Sequence, residues 1–353
     1  MKNSTPHFHL RDEARSTERR APLTPQDAEK LIGKGAKITV ERSVKRIFSD
    51  EAYKQAGCDL VQAESWKTAP SNMTILGLKE LPADPDKLPW AMIHFAHIYK
   101  DQSGWQNEIA RFERGGGLLY DLEYLTNEEG RRVAAFGYWA GWMGAAMALW
   151  RMGARLSGGR GPEAGVSSFE GREQVEKEIT HHLEHEGKHL KAVVIGAKGR
   201  SGAGAVELLE KFGVQTSKWD IEETRNLDRE ALLSHDILVN CVLMTGPGLR
   251  LLGLEDLDKT NLKMISDVSC DPFSDFNPLP VYKEPTSWET PYIELRDGIE
   301  LTAIDNLPSM LPREASEDFS AQLLPTLLSY PDGTPWQNAK AVFDHHLKRA
   351  KSD

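Results

Sequence analysis

The run from Lys191 to Gly213, KAVVIGAKGRSGAGAVELLEKFG, constrains this chain more than any other stretch. A short apolar, β-branched segment meets three glycines, Gly196, Gly199 and Gly202, and a helix-forming sequence follows at once, with Arg200 and Ser201 inside the loop. Glycines in such a strand–turn–helix unit allow a tight turn and let the backbone approach a pyrophosphate, whose charge is favoured at the helix N-terminus. The next strand-like run ends TSKWD and places Asp220 near the spacing, roughly 20 residues on, at which a carboxylate takes the ribose hydroxyls of a dinucleotide. That carboxylate repels a 2′-phosphate and no arginine directly follows it, so NAD is expected ahead of NADP. A glycine turn that binds nothing, and a site for the nucleoside of a methyl donor, are the alternatives.

Around this unit the chain alternates strand-like and helix-like segments. Before it come HFHLR, a helix with Thr24 as N-cap, Pro25 at its first position and Gly33 or Gly35 near its end, then KITVE, MTILGL, AMIHFA and GLLYDL. After it come TSKWD, DILVNCVL, LKMISDVS and GIELTAI. Short apolar runs joined by helical or Pro-rich connections predict parallel sheets in two α/β blocks. The helical patterns REASEDFSAQLLPTLL and WQNAKAVFDHHLKRA have no strand of their own to cover and are expected to pack back on the first block.

Composition removes several function classes. The 353 residues, 40% hydrophobic, suffice for two domains, and a net charge of −10 with scattered basic residues lacks the footprint of a nucleic-acid binder. The N-terminal segment carries charges where a secretory signal needs an apolar stretch, and Cys58, Cys241 and Cys270 form no C-x-x-C, so a cytoplasmic, reducing compartment is expected. The uncharged run from Val133 to Trp150 reaches the lower limit of a membrane span; its glycines and alanines predict a buried helix with close backbone approach instead. His185-Glu-Gly-Lys-His189 matches the zinc-peptidase motif literally, but Gly187 inside it and the strand that follows argue against the helix such a site needs, so no metal is expected.

Oxidation of an amine by a dinucleotide requires a base for the amine proton, a group that activates water for imine hydrolysis, and cations for substrate carboxylates. Strand ends in the first block supply them: Lys79 and Glu80 after MTILGL, His97, Lys100 and Gln102 after AMIHFA, and Glu123 after GLLYDL. Open α/β sheets build their sites beyond the carboxyl ends of strands, so these residues can converge although distant in sequence. Each alone also reads as a solvated ion pair or a histidine at the core edge. Lys79 can act as a base only with its pKa lowered by burial or nearby cations, against the pull of Glu80 and Glu123, whereas His97 is expected to titrate near neutrality.

The words HLR…ERRAPLTP, ESWKTAP, GLKELP, FAHIYKDQSGWQN, LYDLEYL, GRRVAAFG, IGAKGRSG, KWDIEET, DVSCD and IDNLPSMLPREASEDFS follow one another across nearly the whole chain. In them the chain resembles the lysine-forming saccharopine dehydrogenases, relatives of alanine dehydrogenase. The resemblance implies two Rossmann-like domains separated by an active-site cleft, residues 1–136 with 313–353 holding saccharopine and 137–312 holding NAD. The implied reaction is NAD-dependent oxidative cleavage of saccharopine to lysine and 2-oxoglutarate, with those small molecules as partners of a monomer or small homo-oligomer; a related amino-acid or imine oxidoreductase is the runner-up, and a noncatalytic NAD-binding module a more distant one. By resemblance Lys79 takes the proton of the secondary amine and His97 assists water addition. Arg20, Glu80, Lys100, Gln102, Glu123, Arg132, Phe136, Ser269, Cys270 and Asp271 fall on the substrate side. Arg131, Gly196, Gly199, Arg200, Ser201, Gly202, Asp220, Thr224, Leu243, Val268, Ile304, Asp305, Asn306 and Leu307 fall on the cofactor side. Two positions depart from the family: Ser201 stands where members can carry a loop cysteine able to pair with one on the following strand, and Arg15 where a lysine is common.

Overall fold

In the computed structural model, which describes residues 5–351 other than 101, 160, 184–188, 245 and 247, the chain forms two α/β units, Met1–Ala135 with Ala315–Asp353, and Phe136–Glu314. The first is built on six parallel strands, β1 (His7–Leu10), β2 (Lys37–Glu41), β3 (Asp59–Val61), β4 (Thr74–Leu76), β5 (Ala91–His94) and β6 (Leu118–Asp121), in the order β3-β2-β1-β4-β5-β6. Phe8, Leu10, Ile75, Leu76, Met92 and Ile93 are all buried, as residues on either face of a strand are when helices cover both sides. The order reverses between β1 and β4, which opens a crevice beyond their carboxyl ends.

The helices of this unit start where their caps dictate. Thr24 accepts the Asp27 N–H at 3.2 Å and Pro25 opens α1 (Pro25–Gly33), while Ser49 caps α2 (Asp50–Gln55). Left-handed Gly104 and Gly116 bracket α3 (Trp105–Gly115). The C-terminal helices α9 (Pro312–Leu328) and α10 (Thr334–Ala350) supply the remaining cover. On α9, Ser316 and Ser320 accept the backbone N–H groups of Ala21 and Thr24; on α10, Phe343 meets Phe112 and Trp336 meets Tyr120 edge to face.

The second unit holds β7 (Lys191–Ile195), β8 (Gln215–Trp219), β9 (Ile237–Asn240), β10 (Met264–Asp267), β11 (Ile293–Arg296) and β12 (Ile299–Thr302), ordered β11-β12-β10-β9-β7-β8. Its helices are α4 (Gly137–Ser157), α5 (Arg172–Leu183), α6 (Arg200–Lys211), α7 (Ile221–Arg225) and α8 (Arg229–Leu233). All pairs are parallel except β11 with β12, and the order reverses between β7 and β9. β3 and β11 are the two strands the hydrophobic pattern does not reveal, because both lie at sheet edges and bury little. β11 nevertheless has a turn signal: Asp297 and Gly298 both adopt positive φ, the Asp-Gly geometry of a two-residue hairpin.

The uncharged run becomes α4, whose residues from Trp142 to Leu149 are all buried within its own unit. Among the described residues no helix is long and apolar enough to cross a membrane. Of the His185–His189 motif, residues 184–188 lie outside the described residues; among those described, no group of three or more His, Cys, Asp or Glu side chains could hold a metal ion.

α4 crosses α6 backbone to backbone. A Cβ at Gly141 would lie 1.7 Å from the Ser201 carbonyl oxygen, and one at Gly204 would lie 2.1 Å from that of Tyr138. Alanine improves helix propensity over glycine by only about 1 kcal/mol, whereas forcing a methyl into a filled contact costs about 1–3 kcal/mol and occasionally more. Gly141→Ala should therefore lower stability by about 2 kcal/mol in urea denaturation. Gly33→Ala, where an added Cβ meets nothing within 4 Å, should leave stability unchanged or slightly raised.

Candidate functional site

In the first unit the strands at the reversal point deliver a cluster of charges. Arg11 and Glu13 follow β1, and Glu13 accepts the backbone N–H groups of Leu78 at 2.7 Å and Lys79 at 3.0 Å. Arg11 pairs with Glu13 at 3.0 Å and also donates to the Lys79 carbonyl, so the segment carrying Lys79 is tied down by two buried ions. The side chain of Lys79 lies beside Arg20, itself locked to Glu18 through Nε–Oε1 at 2.8 Å and Nη2–Oε2 at 2.6 Å. Burial first, then the Arg20 and Arg15 cations, lowers the Lys79 pKa from the usual lysine value, against the opposing pull of Glu18 and Glu80. The opposing carboxylate absent from the sequence expectation is Glu18, which pulls more strongly than Glu80.

His97 follows β5 with φ +54°, a left-handed conformation rare outside glycine, and its ring stacks on Phe95. Nε2 is 3.8 Å from Glu80 and Nδ1 is 4.0 Å from Glu123, so the ring lies between two carboxylates. Those carboxylates raise its pKa, yet burial outweighs them and the net shift is downward. His97 therefore does not titrate as an unperturbed imidazole, because the sequence shows its charged neighbours but not its desolvation.

Glu123 is held at 2.7 Å from Lys100 Nζ and 2.6 Å from Arg132 Nη2, which keeps its carboxyl below the ordinary range despite burial. Glu80 is paired with Arg15 at 2.8 Å. Gln102 accepts the Lys100 backbone N–H at 2.7 Å, and with Glu80 and His97 it lines a cavity of about 460 Å³ that also receives His94 and Trp105. Lys79, Glu80, His97, Lys100, Gln102, Glu123, Arg132 and Arg20 thus all lie in one unit at the carboxyl ends of its strands. Arg131 lies in the same unit with an exposed side chain, its backbone N–H held by Asn127.

The second unit contains the glycine loop at its own reversal point. Gly196 turns with φ +77°, and Gly196 and Ala197 donate to the Trp219 carbonyl at 2.8 and 3.0 Å. Gly199 occupies the N-cap of α6 and Arg200 its first turn. A Cβ on Gly202 would lie 2.1 Å from the Gly196 carbonyl oxygen, so only glycine lets the helix approach the loop this closely. Asp220 accepts backbone N–H groups from Ile221 and Lys198, both at 2.9 Å, and these bonds lower its pKa. Gly196, Asp220, Thr224, Val242 and Met244 line a cavity of about 400 Å³. A glycine cradle, helix N–H groups and an ionised acid beside an apolar slot fit a dinucleotide.

Of the other residues singled out, Phe136 is the N-cap of α4, Ser201 and Gly202 lie on α6, Leu243 is 56% exposed, and Val268 packs near Gly144. Ser269 donates to Asp267 at 2.6 Å, with Cys270 and Asp271 next along the chain. Ile304 and Leu307 are buried, Asp305 is exposed and Asn306 half-buried. Cys270 donates to the Ala303 carbonyl, and burial pushes its thiol up to about 12; Cys58, Cys241 and Cys270 are all free thiols. Sequence reasoning missed Glu13, Glu18, His94, Asp121 and Asp267, polar groups that are all buried.

Residues 9–143 match the family described as alanine dehydrogenase/PNT, N-terminal domain. The chain is 41% identical to the saccharopine dehydrogenase [NAD(+), L-lysine-forming] of Neurospora crassa, covering 96% of each chain, and 39% identical to that of Candida albicans, covering 99% of each. A solved L-alanine dehydrogenase superposes with a TM-score of 0.70 at 17% identity, over 98% of this chain and 99% of the other, which is a likeness of fold.

Glu18 and Arg20 are 2% and 4% exposed, and removing one member of such a buried pair strands the other charge. Glu18→Gln should therefore lower the unfolding free energy by about 3 kcal/mol in urea titrations.

Proposed function

The chain belongs to the NAD-dependent, lysine-forming saccharopine dehydrogenases, and from that premise we propose that Lys79 and His97 move the protons of its reaction while the neighbouring ions hold its substrate. The reaction is oxidative cleavage of saccharopine to lysine and 2-oxoglutarate. NAD, when bound, supplies the hydride acceptor. The observation that carries the proposal is that Lys79 and His97 follow the adjacent strands β4 and β5, with Glu80 acting on both and burial lowering both pKa values.

Hydride leaves the substrate carbon only when the secondary amine is neutral, and near neutral pH a free secondary ammonium is mostly protonated. Lys79, its pKa lowered by burial and by the Arg20 and Arg15 cations, takes that proton more readily than an ordinary lysine ammonium would allow. His97 takes a proton from the water that adds to the imine carbon, returns it to the lysine nitrogen of the resulting carbinolamine, and takes the hydroxyl proton as the C–N bond breaks and the carbonyl of 2-oxoglutarate forms. Arg20 and Arg132 present guanidinium groups to substrate carboxylates, and Lys100 and Gln102 contribute further polar contacts. Phe136, Ser269, Cys270 and Asp271 are assigned to the substrate side. Asp220, Thr224 and the Gly196–Gly202 loop are assigned to the cofactor, together with Arg131, Arg200, Leu243, Val268 and the Ile304–Leu307 run. We assign residues 1–136 with 313–353 to substrate and 137–312 to NAD. A cytoplasmic location accords with three unpaired cysteines, and the assembly proposed is a monomer or small homo-oligomer.

Lys79→Met and His97→Gln should each lower kcat for saccharopine by about 10² or more with little change in NAD affinity, and together they should be non-additive. A folded double variant within a few-fold of the unmodified enzyme would contradict the assignment. A second expectation concerns pH. Glu80 raises both pKa values and neutralises Arg15, so Glu80→Gln should lower both further. Because the base must be neutral, the acid limb of the rate profile should move to lower pH; movement to higher pH would show that Glu80 does not act through these groups.

A further inference from the structure

Asp121, the last residue of β6, is 1% exposed, and its carboxylate meets backbone N–H groups rather than the side chains assigned to substrate. Its two carboxylate oxygens are divided between two chain segments. Oδ1 accepts the Glu123 N–H at 2.8 Å, and Oδ2 accepts the Ala96 N–H at 3.3 Å. Ala96 immediately precedes His97, which sits in the strained left-handed conformation, and Glu123 carries the carboxylate 4.0 Å from His97 Nδ1. From the sharing of one buried carboxylate between these two turns, and on the functional reading above, we propose that Asp121 is a positioning residue for proton transfer, the common anchor that holds the His97 turn and Glu123 in register.

The strand ladder alone cannot do this. His94 and Asp121 are the last paired residues of β5 and β6, and the Leu122 N–H is taken by the His94 carbonyl at 3.1 Å, after which the two chains diverge. Beyond that point the Asp121 carboxylate joins them. A carboxylate is the one side chain of this length that offers an acceptor to each segment. An amide presents a donor on one side, so one N–H would face another N–H and one turn would come loose. A displacement of about 1 Å at a reacting group can cost about 10²-fold in rate, while a loosened turn of the first unit leaves the contacts within the second unit's glycine loop untouched.

The surroundings make the anchor sensitive to proton concentration. Burial pushes the Asp121 carboxyl up to about 7, Glu123 adds to the rise, and Arg132 and the two N–H bonds oppose it; His94, Tyr99 and Tyr124 are the other titratable groups facing it. Above that pH both oxygens accept. Below it a proton occupies one oxygen and one of the two turns loses its partner, so the acid limb of the wild-type profile contains one proton that belongs to Asp121.

Asp121→Asn is the test, read in saccharopine oxidation with NAD. The expected result is a kcat lower by between about 10- and 100-fold, a KM for NAD within twofold of wild type, and an acid limb in log kcat against pH that is less steep by one proton. A variant with wild-type kcat and slope overturns the inference, as does one with lowered kcat but an unaltered slope, which would mark a purely structural role. If Asp121→Asn does not fold, Asp121→Ser fits the same space with one acceptor and is judged by the same three readings. Wild-type enzyme that fails to turn over saccharopine overturns the functional reading itself and the inference with it, whereas active wild type beside an unaffected variant overturns the inference alone.

Discussion

The contact on which most of the second unit depends is the approach of α4 to α6 at Gly141 and Gly204, where no side chain separates the two backbones. α6 starts at the glycine loop, so whatever fixes α6 also fixes the N–H groups that would face a pyrophosphate. A wider crossing would move Ser201 and the loop with it. The same α4 meets β10 through Gly144, where the Ser266 hydroxyl donates to the Gly144 carbonyl at 2.9 Å and a Cβ would meet Val268. The composition that made Val133 to Trp150 resemble a membrane span follows from these requirements: small residues where backbones meet, large apolar ones where the helix fills the core.

Much of this was legible in the sequence because its cause is local. The Thr24-Pro25 cap, the glycine loop and the short apolar strands of both sheets declare themselves in a few residues each. So do the site candidates Lys79, Glu80, His97, Lys100, Gln102 and Glu123, because strand ends are readable and sites in parallel sheets form there. The missed features are those whose cause lies elsewhere in the chain. Glu18 in STERR has the composition of a solvated surface turn, and only the fold places it in a buried pair with Arg20 near Lys79. β3 escaped because an edge strand of three residues has no face that must be apolar. β11 escaped for the same reason, although its Asp297-Gly298 turn was there to be read.

Charges show the same division between local and distant causes. The strand ends announce Glu80 and Glu123 beside His97 and Glu80 beside Lys79, with the sign of each pull, but not Glu18. Their relative weight cannot be read there, because burial enters it and burial is a property of the whole fold. For Lys79 burial and the cations act together, so the expected direction holds. For His97 burial opposes two carboxylates and exceeds them, so an imidazole that looks unperturbed in the sequence has its pKa lowered in the structure.

Each unit uses a buried aspartate where strand pairing ends. In the first, Asp121 takes the N–H groups of Ala96 and Glu123; in the second, Asp267, fully buried at the end of β10, accepts from Asn240 Nδ2 at 2.9 Å, Ser269 Oγ at 2.6 Å and Tyr282 OH at 2.6 Å. The requirement is the same in both. Beyond the last ladder bond, a site loop must leave the sheet without losing its alignment, and its first N–H groups need acceptors that water cannot provide in the interior. A carboxylate meets that need for two segments at once, at the cost of burying an ionisable group. In Asp121 that cost appears as a carboxyl pushed up to about 7, because burial outweighs the two N–H bonds that favour the charged form.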